Sequence, residues 1–231
     1  MIEIAHIQKR LGKKQVLKDI SFHVDCGQCV AIVGKNGCGK STLLQIMAGV
    51  LKADHGEIHY FGKDAGKDRK IIRQYCGYVP QDNPLMEELS VRDNLKLWAG
   101  SNKDMQEKVI EQFELEGIMK QQVSKLSGGM KRRLSIACAM QQWPPVLLLD
   151  EPTSALDIYY KKSILQWIRQ YQRMNGMVVM TTHDEMEILS ADRCLVMEDG
   201  NIHELTGDEI QMERIWEYVA RQNSNEGGKG K

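Results

Sequence analysis

A glycine-rich segment at residues 34–42 constrains the fold of this 231-residue chain more than any other feature. It reads GKNGCGKST in one-letter code and matches the pattern G-x-x-x-x-G-K-[ST]. The apolar run at residues 29–33 predicts a buried strand, and the apolar positions within residues 43–47 predict a helix that ends near Gly49. The sequence therefore predicts a strand, a tight loop and the start of a helix in direct succession.

Such a loop binds phosphate, because glycine lets backbone N–H groups close around phosphate oxygens and the helix N-terminus adds partial positive charge. Lys40 is placed to reach the β- and γ-phosphates of a nucleotide, and the Ser41 hydroxyl to ligate Mg²⁺. The context of strand and helix indicates a P-loop nucleotide hydrolase. The candidate nucleotide-binding residues of the loop are Gly34, Lys35, Asn36, Gly37, Cys38, Gly39, Lys40, Ser41 and Thr42.

The order of the predicted elements favours an α/β fold with a parallel sheet and helices on both of its faces. Polar and apolar residues alternate in the N-terminal quarter, which predicts half-buried strands. Residues 89–142 then have helical spacing, and strand patterns return at residues 146–149 and 177–180. A helical block therefore interrupts the predicted sheet.

The charge balance argues against nucleic acid as a partner. With 31 basic and 31 acidic residues the formal net charge is zero, so the chain has no overall positive field. The basic triplet at residues 131–133 (KRR) is then expected to be a solvated helix face.

The N-terminal residues lack the basic head and apolar middle of a signal peptide. No apolar run approaches the ~20 residues that cross a bilayer. We therefore expect a cytoplasmic protein that reaches a membrane only through a partner. The cysteines are expected to be buried or incidental thiols in a reducing cytosol. Cys38 lies at the predicted helix start, where the pKa of a thiol can be lowered, and the hypothesis here is that its oxidation inhibits nucleotide binding.

Two adjacent acids, Asp150 and Glu151, follow the apolar strand predicted at residues 146–149. A carboxylate at the end of a buried strand can lie beside Ser41 and hold the Mg²⁺ shell, which is the role expected of Asp150. Glu151, one residue further on, can face the attacking water and remove its proton. The pair therefore indicates metal binding by one acid and general-base catalysis by the other.

Four further segments make a resemblance to a known family specific. Residues 126–129 (LSGG) look like the signature motif of the ATP-binding cassette (ABC) family, and residues 78–82 (YVPQD) are similar to its Q-loop. Residues 150–157 (DEPTSALD) resemble its Walker B strand end and D-loop, and residues 181–184 (TTHD) resemble its switch-histidine segment. With the glycine loop, five motifs fall in family order and cover about residues 1–205.

The resemblance implies a RecA-like P-loop NTPase core with an antiparallel β subdomain and an inserted α-helical subdomain. We expect a single ABC ATPase domain over residues 1–221. Residues 1–83 and 141–205 would form the core and β subdomain, residues 84–140 the helical signature subdomain, and residues 206–221 a C-terminal helix. The polar, glycine-rich residues 222–231 are expected to be a disordered tail.

The family pattern further implies that two cassettes, identical or different, close face to face around two ATP molecules. Ser127, Gly128 and Gly129 of one cassette would contact the γ-phosphate bound by the other, and Asp157 would act across the interface. Gln81 would contact Mg²⁺ and the attacking water, and His183 the γ-phosphate. The implied catalytic residues are Glu151, His183, Gln81 and Lys40, and the implied magnesium ligands are Ser41, Gln81 and Asp150.

The chain departs from the family pattern at two positions. Leu11 occupies the place of the aromatic residue that usually stacks on adenine, so weaker adenine discrimination is expected. The signature ends in Met130 rather than the commoner glutamine, which resembles exporter cassettes with separately encoded membrane subunits. This resemblance favours export.

The leading function is the ATPase subunit of a membrane transporter, held at the inner face of the cell membrane by a separate permease. A soluble ABC ATPase, for example in cofactor assembly, is the alternative, and co-purification with a permease or with a soluble scaffold discriminates between them. An unrelated P-loop enzyme such as a GTPase is the third reading. The cargo is not encoded in this chain, since its contacts would lie in the permease.

Overall fold

Two β-sheets and the helices packed on them make up the part of the chain that the structure, a computed structural model, describes: residues 1–99 and 103–205, together with Ile215. The central sheet has six strands in the order β10-β9-β3-β8-β7-β6. These strands are β3 (Cys29–Val33), β6 (Cys76–Val79), β7 (Val146–Asp150), β8 (Met177–Thr181), β9 (Arg193–Glu198) and β10 (Asn201–Leu205). All neighbours pair in parallel except β9 and β10, which form an antiparallel hairpin.

The residues of β3, and all but the last residue of β7 and of β8, are apolar because both faces of the sheet are covered. Alternate residues of β7 divide between two cores: Leu147 and Leu149 pack into one cluster, and Val146 and Leu148 into the other. The strand period of two residues produces this division. The prediction of a parallel sheet covered on both sides is confirmed.

A second, antiparallel sheet lies on one side of the central sheet. Its strands are β1 (Ile2–Leu11), β2 (Lys14–Val24), β4 (His55–Tyr60) and β5 (Lys63–Asp64), in the order β2-β1-β4-β5. The buried residues Ile4, Ile20 and Ile58 of this sheet share a core with Leu43 and Leu44 of the helix that follows the glycine loop. The antiparallel sheet therefore packs against the helix that follows the glycine loop.

Seven α-helices complete the part of the chain that the structure covers. They are α1 (Lys40–Met47), α2 (Arg69–Tyr75), α3 (Val91–Trp98), α4 (Lys103–Gln112), α5 (Gly128–Ala139), α6 (Ile158–Arg173) and α7 (Glu185–Ser190). Single 3₁₀ turns at Glu116–Ile118 and Val123–Lys125 separate α4 from α5. Among the described helices, none is long and apolar enough to cross a membrane.

Helices α3, α4 and α5 occupy the region predicted to be helical. Ser90 begins α3 and Ser127 begins α5, because each side chain accepts a hydrogen bond from a backbone N–H in the first helical turn. The helix and tail predicted at residues 206–221 and 222–231 lie outside the described residues, apart from Ile215, which is buried against Val196 and its neighbours.

Candidate active site

The glycine loop leaves the carboxyl end of β3 with a backbone that side chains would obstruct. Gly34 has φ 151°, and a Cβ there would lie 2.4 Å from the carbonyl oxygen of Met197. Gly39 has φ 116°, and a Cβ there would lie 2.9 Å from the side chains of Val16 and Leu17. Both positions require glycine because the chain passes too close to its neighbours for any larger residue.

The start of α1 is built to receive an anion. Gly39 is its N-cap and provides no side-chain hydrogen bond, so the N–H groups of the first turn are left for a ligand. The buried Lys40 ammonium donates to the carbonyl oxygens of Gly34, at 2.6 Å, and Lys35, at 3.0 Å. A cation and a helix N-terminus therefore face the same loop interior, which fits phosphate.

Oxygen ligands suited to Mg²⁺ meet beside this loop. The Ser41 hydroxyl donates to Asp150 Oδ1 at 3.1 Å, and Thr181 Oγ1 donates to the same carboxylate oxygen. Within the described residues no three His, Cys, Asp or Glu side chains cluster as a self-sufficient metal site. This donor set fits Mg²⁺, which proteins usually hold through one or two carboxylates plus substrate phosphates.

Glu151 lies one residue beyond β7 in a left-handed conformation, with φ 48°. Its N–H donates to both the Oγ1 and the carbonyl oxygen of Thr181, each at 3.1 Å. Its carboxylate accepts a hydrogen bond from Gln81 Nε2 at 3.1 Å and lies 3.5 Å from His183 Nδ1. Three segments that are distant in the sequence therefore meet at this carboxylate.

These groups surround one cleft of about 540 Å³, a size typical of small-molecule sites. Leu11 lies at its mouth with 46% of its surface exposed. Lys14 and Val16 also line it, although neither belongs to one of the five motifs. The predicted site residues at this cleft are Leu11, Asn36, Gly37, Gly39, Lys40, Ser41, Thr42, Gln81, Glu151 and His183. Lys35 and Cys38 face a neighbouring groove.

Eight predicted site residues do not line this cleft within the described part of the chain: Gly34, Lys35, Cys38, Asp150, Ser127, Gly128, Gly129 and Asp157. The last four belong to the signature motif and the D-loop. Ser127 caps α5, where its hydroxyl accepts a hydrogen bond from the Met130 N–H, and Gly128 and Gly129 form the first turn of that helix. Asp157 caps α6, since its Oδ1 accepts hydrogen bonds from the N–H groups of Tyr159, at 3.0 Å, and Tyr160, at 3.1 Å. The structure thus brings the glycine loop, Q-loop, acids and histidine together and leaves the signature edge elsewhere.

The prediction of a solvated face at residues 131–133 is wrong. Arg132 is only 4% exposed and donates to backbone carbonyls, whereas Lys131 Nζ lies 2.6 Å from Glu87 Oε1. Arg133 donates to the carbonyl of Phe113 and to the carboxylate of Glu114. The sequence did carry a signal, because the apolar residues that follow on α5 leave it no wholly polar face, as expected for a buried helix.

The surroundings of Cys38 argue against the hypothesis of an activated thiol at the helix start. Burial raises the pKa of Cys38 above its ordinary value, although the charge on Lys40 and nearby backbone N–H groups oppose the shift. Desolvation of the thiolate therefore outweighs the helix N-terminus at this position.

Comparisons with known proteins identify the family to which this chain is similar. The family model described as ABC transporter matches residues 17–154. The sulfate/thiosulfate import ATP-binding protein CysA of Escherichia coli strain K12 is 36% identical over 236 residues, which cover 94% of this chain and 63% of that protein. The corresponding protein of Synechococcus elongatus is 35% identical and covers 88% of this chain and 62% of its own length. The chain thus spans about 60% of the length of these relatives.

Solved structures show the same fold. The ATP-binding cassette MJ0796, described as a dimeric post-hydrolysis state bound to ADP and Pi, is 26% identical with a TM-score of 0.80 and covers 89% of this chain and 98% of that chain. An ATP-binding subunit of an ABC transporter, 24% identical, reaches a TM-score of 0.85 over 95% of this chain and 99% of that chain, which bears on fold alone. The chain belongs to the ATP-binding cassette transporter family and has the fold of its ATPase domain.

Proposed function

We propose that this chain is the ATP-hydrolysing subunit of a membrane transporter and that it works as a pair of cassettes attached to a separate permease. The observation that carries the proposal is the placement of Glu151. Its carboxylate lies at the edge of the phosphate-binding cleft, between Gln81 and His183, while Asp150 contacts Ser41. That arrangement supports hydrolysis of a bound nucleoside triphosphate.

The chain's own groups divide the chemistry. The N-terminus of α1 and Lys40 bind the phosphates and balance their negative charge. Glu151 accepts the proton of the attacking water, and Gln81, which contacts that carboxylate, orients the water. Bound Mg²⁺, held by Ser41, Asp150 and Gln81, would neutralise charge on the β- and γ-phosphates. His183 would hydrogen-bond the γ-phosphate.

A second cassette completes each site in this proposal. The Ser127 edge lies outside its own cleft, at the exposed start of α5, where a helix N-terminus favours a γ-phosphate. Solved cassettes of the family described as dimers support pairing. Asp157 would shape the D-loop at the interface through its cap on α6.

Coupling to a permease would use the helical region beside Gln81. Met86, Leu97 and Trp98 are large apolar side chains there that are about half exposed, and a partner would cover them. This contact would hold the chain at the cytoplasmic face of the membrane. The relatives reported above are named for sulfate/thiosulfate import, so the expectation of export from Met130 finds no support. The proposal therefore covers ATP-driven transport and not its direction.

Replacing the proposed base tests the catalytic half of this function. Glu151→Gln keeps the side-chain shape but removes the proton acceptor, so the turnover of magnesium-ATP should fall by about 10²-fold or more. Binding of ATP should persist. Glu107→Gln, an identical change on the exposed face of α4, should leave turnover at the parent level. Parent-level turnover in Glu151→Gln would exclude Glu151 as the base.

A further inference from the structure

The turn that follows β7 carries Asp150 and Glu151 and is held in an unfavourable backbone shape. Glu151 has φ 48° and Ala155, four residues on, has φ 59°. A left-handed conformation is unfavourable for a residue with a Cβ, because the Cβ approaches the following carbonyl oxygen. Contacts from the surrounding structure must therefore hold this turn in place.

The guanidinium of Arg132, on α5, hydrogen-bonds to the backbone of the turn. Arg132 donates from Nη2 to the carbonyl oxygens of Asp150, at 2.6 Å, and Glu151, at 3.2 Å. Its Nε donates to the carbonyl oxygen of Pro152 at 2.9 Å. Three successive carbonyls of the turn are thus fixed by a single planar group, whose donors have a rigid mutual geometry.

The same guanidinium also holds the Q-loop. Nη1 of Arg132 donates to the carbonyl oxygens of Pro80, at 2.6 Å, and Gln81, at 3.3 Å. Gln81 is the residue whose side chain reaches Glu151 at 3.1 Å. Arg132 therefore sets the spacing between the two backbones that carry the proposed base and its amide partner.

A buried acid holds the other end of the turn. Glu187 of α7 is 1% exposed, and its Oε1 accepts a hydrogen bond from the Thr153 N–H at 2.9 Å. Burial raises the pKa of Glu187, while hydrogen bonds from Thr153 and Thr182 oppose that shift. Thr182 precedes His183, so Glu187 connects the turn to the switch histidine.

Two buried ionisable groups, Arg132 of α5 and Glu187 of α7, hydrogen-bond to the backbone of the turn. Burial lowers the pKa of Arg132 to about 10, and the nearby carboxylate of Glu187 counteracts this effect. Arg132 therefore keeps its positive charge at neutral pH. A buried ion is costly unless polar groups surround it, and here those groups are the backbone atoms of the catalytic segments.

We propose that Arg132 and Glu187 are positioning residues, which clamp the turn at residues 150–153 and so fix the proposed base Glu151 against Gln81 and His183. The inference rests on the proposed ATPase function. Neither residue lines the cleft, so both act through the backbone of other residues and not by touching substrate.

A pair of matched substitutions on α5 tests the role of Arg132. Arg132→Met removes the hydrogen bonds to five carbonyls, and kcat should fall by about tenfold or more with the Kd for ATP changed less than about twofold. Arg133→Met is the control, since it removes the same group from the next position, where the contacts are to Phe113 and Glu114. It should leave kcat within about twofold of the parent.

A double-mutant cycle separates positioning from a general loss of structure. If Arg132 acts through Glu151, Arg132→Met should lower the residual turnover of Glu151→Gln by less than about twofold. An equal loss in both backgrounds would show that Arg132 does not act through Glu151, and would overturn the inference.

Glu187 supplies a second test that does not depend on how well Arg132→Met folds. Glu187→Leu removes the acceptor for the Thr153 N–H and should lower kcat about tenfold, whereas Glu187→Gln keeps an acceptor and should restore it to within about threefold. Equal kcat values in these two variants would overturn the clamp. A parent without magnesium-ATP turnover would overturn the proposed function itself. A parent that hydrolyses ATP, with Arg132→Met unimpaired, would overturn this inference alone.

Discussion

Asp150 and Glu151 are neighbours in the sequence, yet their side chains have different hydrogen-bond partners. Asp150 is buried at the end of β7, where its carboxylate accepts hydrogen bonds from Ser41 and Thr181. Glu151 has a left-handed backbone conformation, and its carboxylate accepts a hydrogen bond from the Gln81 side chain. Residue types and spacing predicted the two roles. The positive φ and the contribution of Thr181 were not predictable, since both depend on how β7 and β8 pair.

Leu11 offers a test at the scale of a single residue. It lies at the mouth of the cleft and can cover an adenine ring without π-stacking. Leu11→Tyr should tighten ATP binding by about fivefold, because an aromatic pair contributes about 1 kcal/mol beyond buried area. Leu97→Tyr, at an exposed leucine on α3 that does not line the cleft, is the control. An unchanged Kd for Leu11→Tyr, measured by calorimetry, would show that adenine does not contact this position.

At the scale of elements, α1 and every described strand except the two-residue β5 followed from hydrophobic patterns, because each buries a set of apolar side chains. Helix α2 (Arg69–Tyr75) was not predicted, since it spans only seven residues and its apolar residues Ile71, Ile72 and Tyr75 are too few to establish a helical period. Strand order was equally inaccessible: β6 pairs with β7, although 66 residues separate the end of one from the start of the other. The acceptors of Arg132 were inaccessible for the same reason, since they lie on distant segments, although the apolar residues of α5 did indicate a buried helix.

The contact between α5 and α6 predicts different effects for two neighbouring glycines. A Cβ on Gly129 would lie 2.5 Å from the Tyr160 ring, whereas a Cβ on Gly128 would meet nothing within 4 Å. Gly129→Ala should lower the free energy of unfolding by about 1–3 kcal/mol, the usual cost of overpacking. Gly128→Ala should not lower it, because alanine is the better helix former.

Urea unfolding of the two alanine variants measures this difference. Gly129→Ala should cost less free energy of unfolding when it is introduced into Tyr160→Ala than when it is introduced into the parent. The reason is that Tyr160→Ala has already removed the ring that the new Cβ would meet. If Gly128→Ala and Gly129→Ala unfold at the same urea concentration, the close approach of α5 to α6 is not a constraint on this helix.

For the whole molecule, the motifs of one chain form two separate surfaces, and neither of them contains all the predicted site residues. The glycine loop, acids and histidine form one edge, and the start of α5 at Ser127 forms another that does not reach the same cleft. The fold and family were predictable because five motifs occur in order. The separation of the two edges is a property of tertiary packing, and it is the reason that we propose a second cassette.

Light scattering of Glu151→Gln in magnesium-ATP tests this central claim most directly. Slow hydrolysis should trap a particle of twice the chain's mass, which returns to the monomer mass when ATP is replaced by ADP. Ser127→Glu in the same background should prevent pairing, because a carboxylate would face the γ-phosphate. A monomer mass for Glu151→Gln at saturating ATP, or pairing unaffected by Ser127→Glu, would contradict a site shared between two copies of this chain.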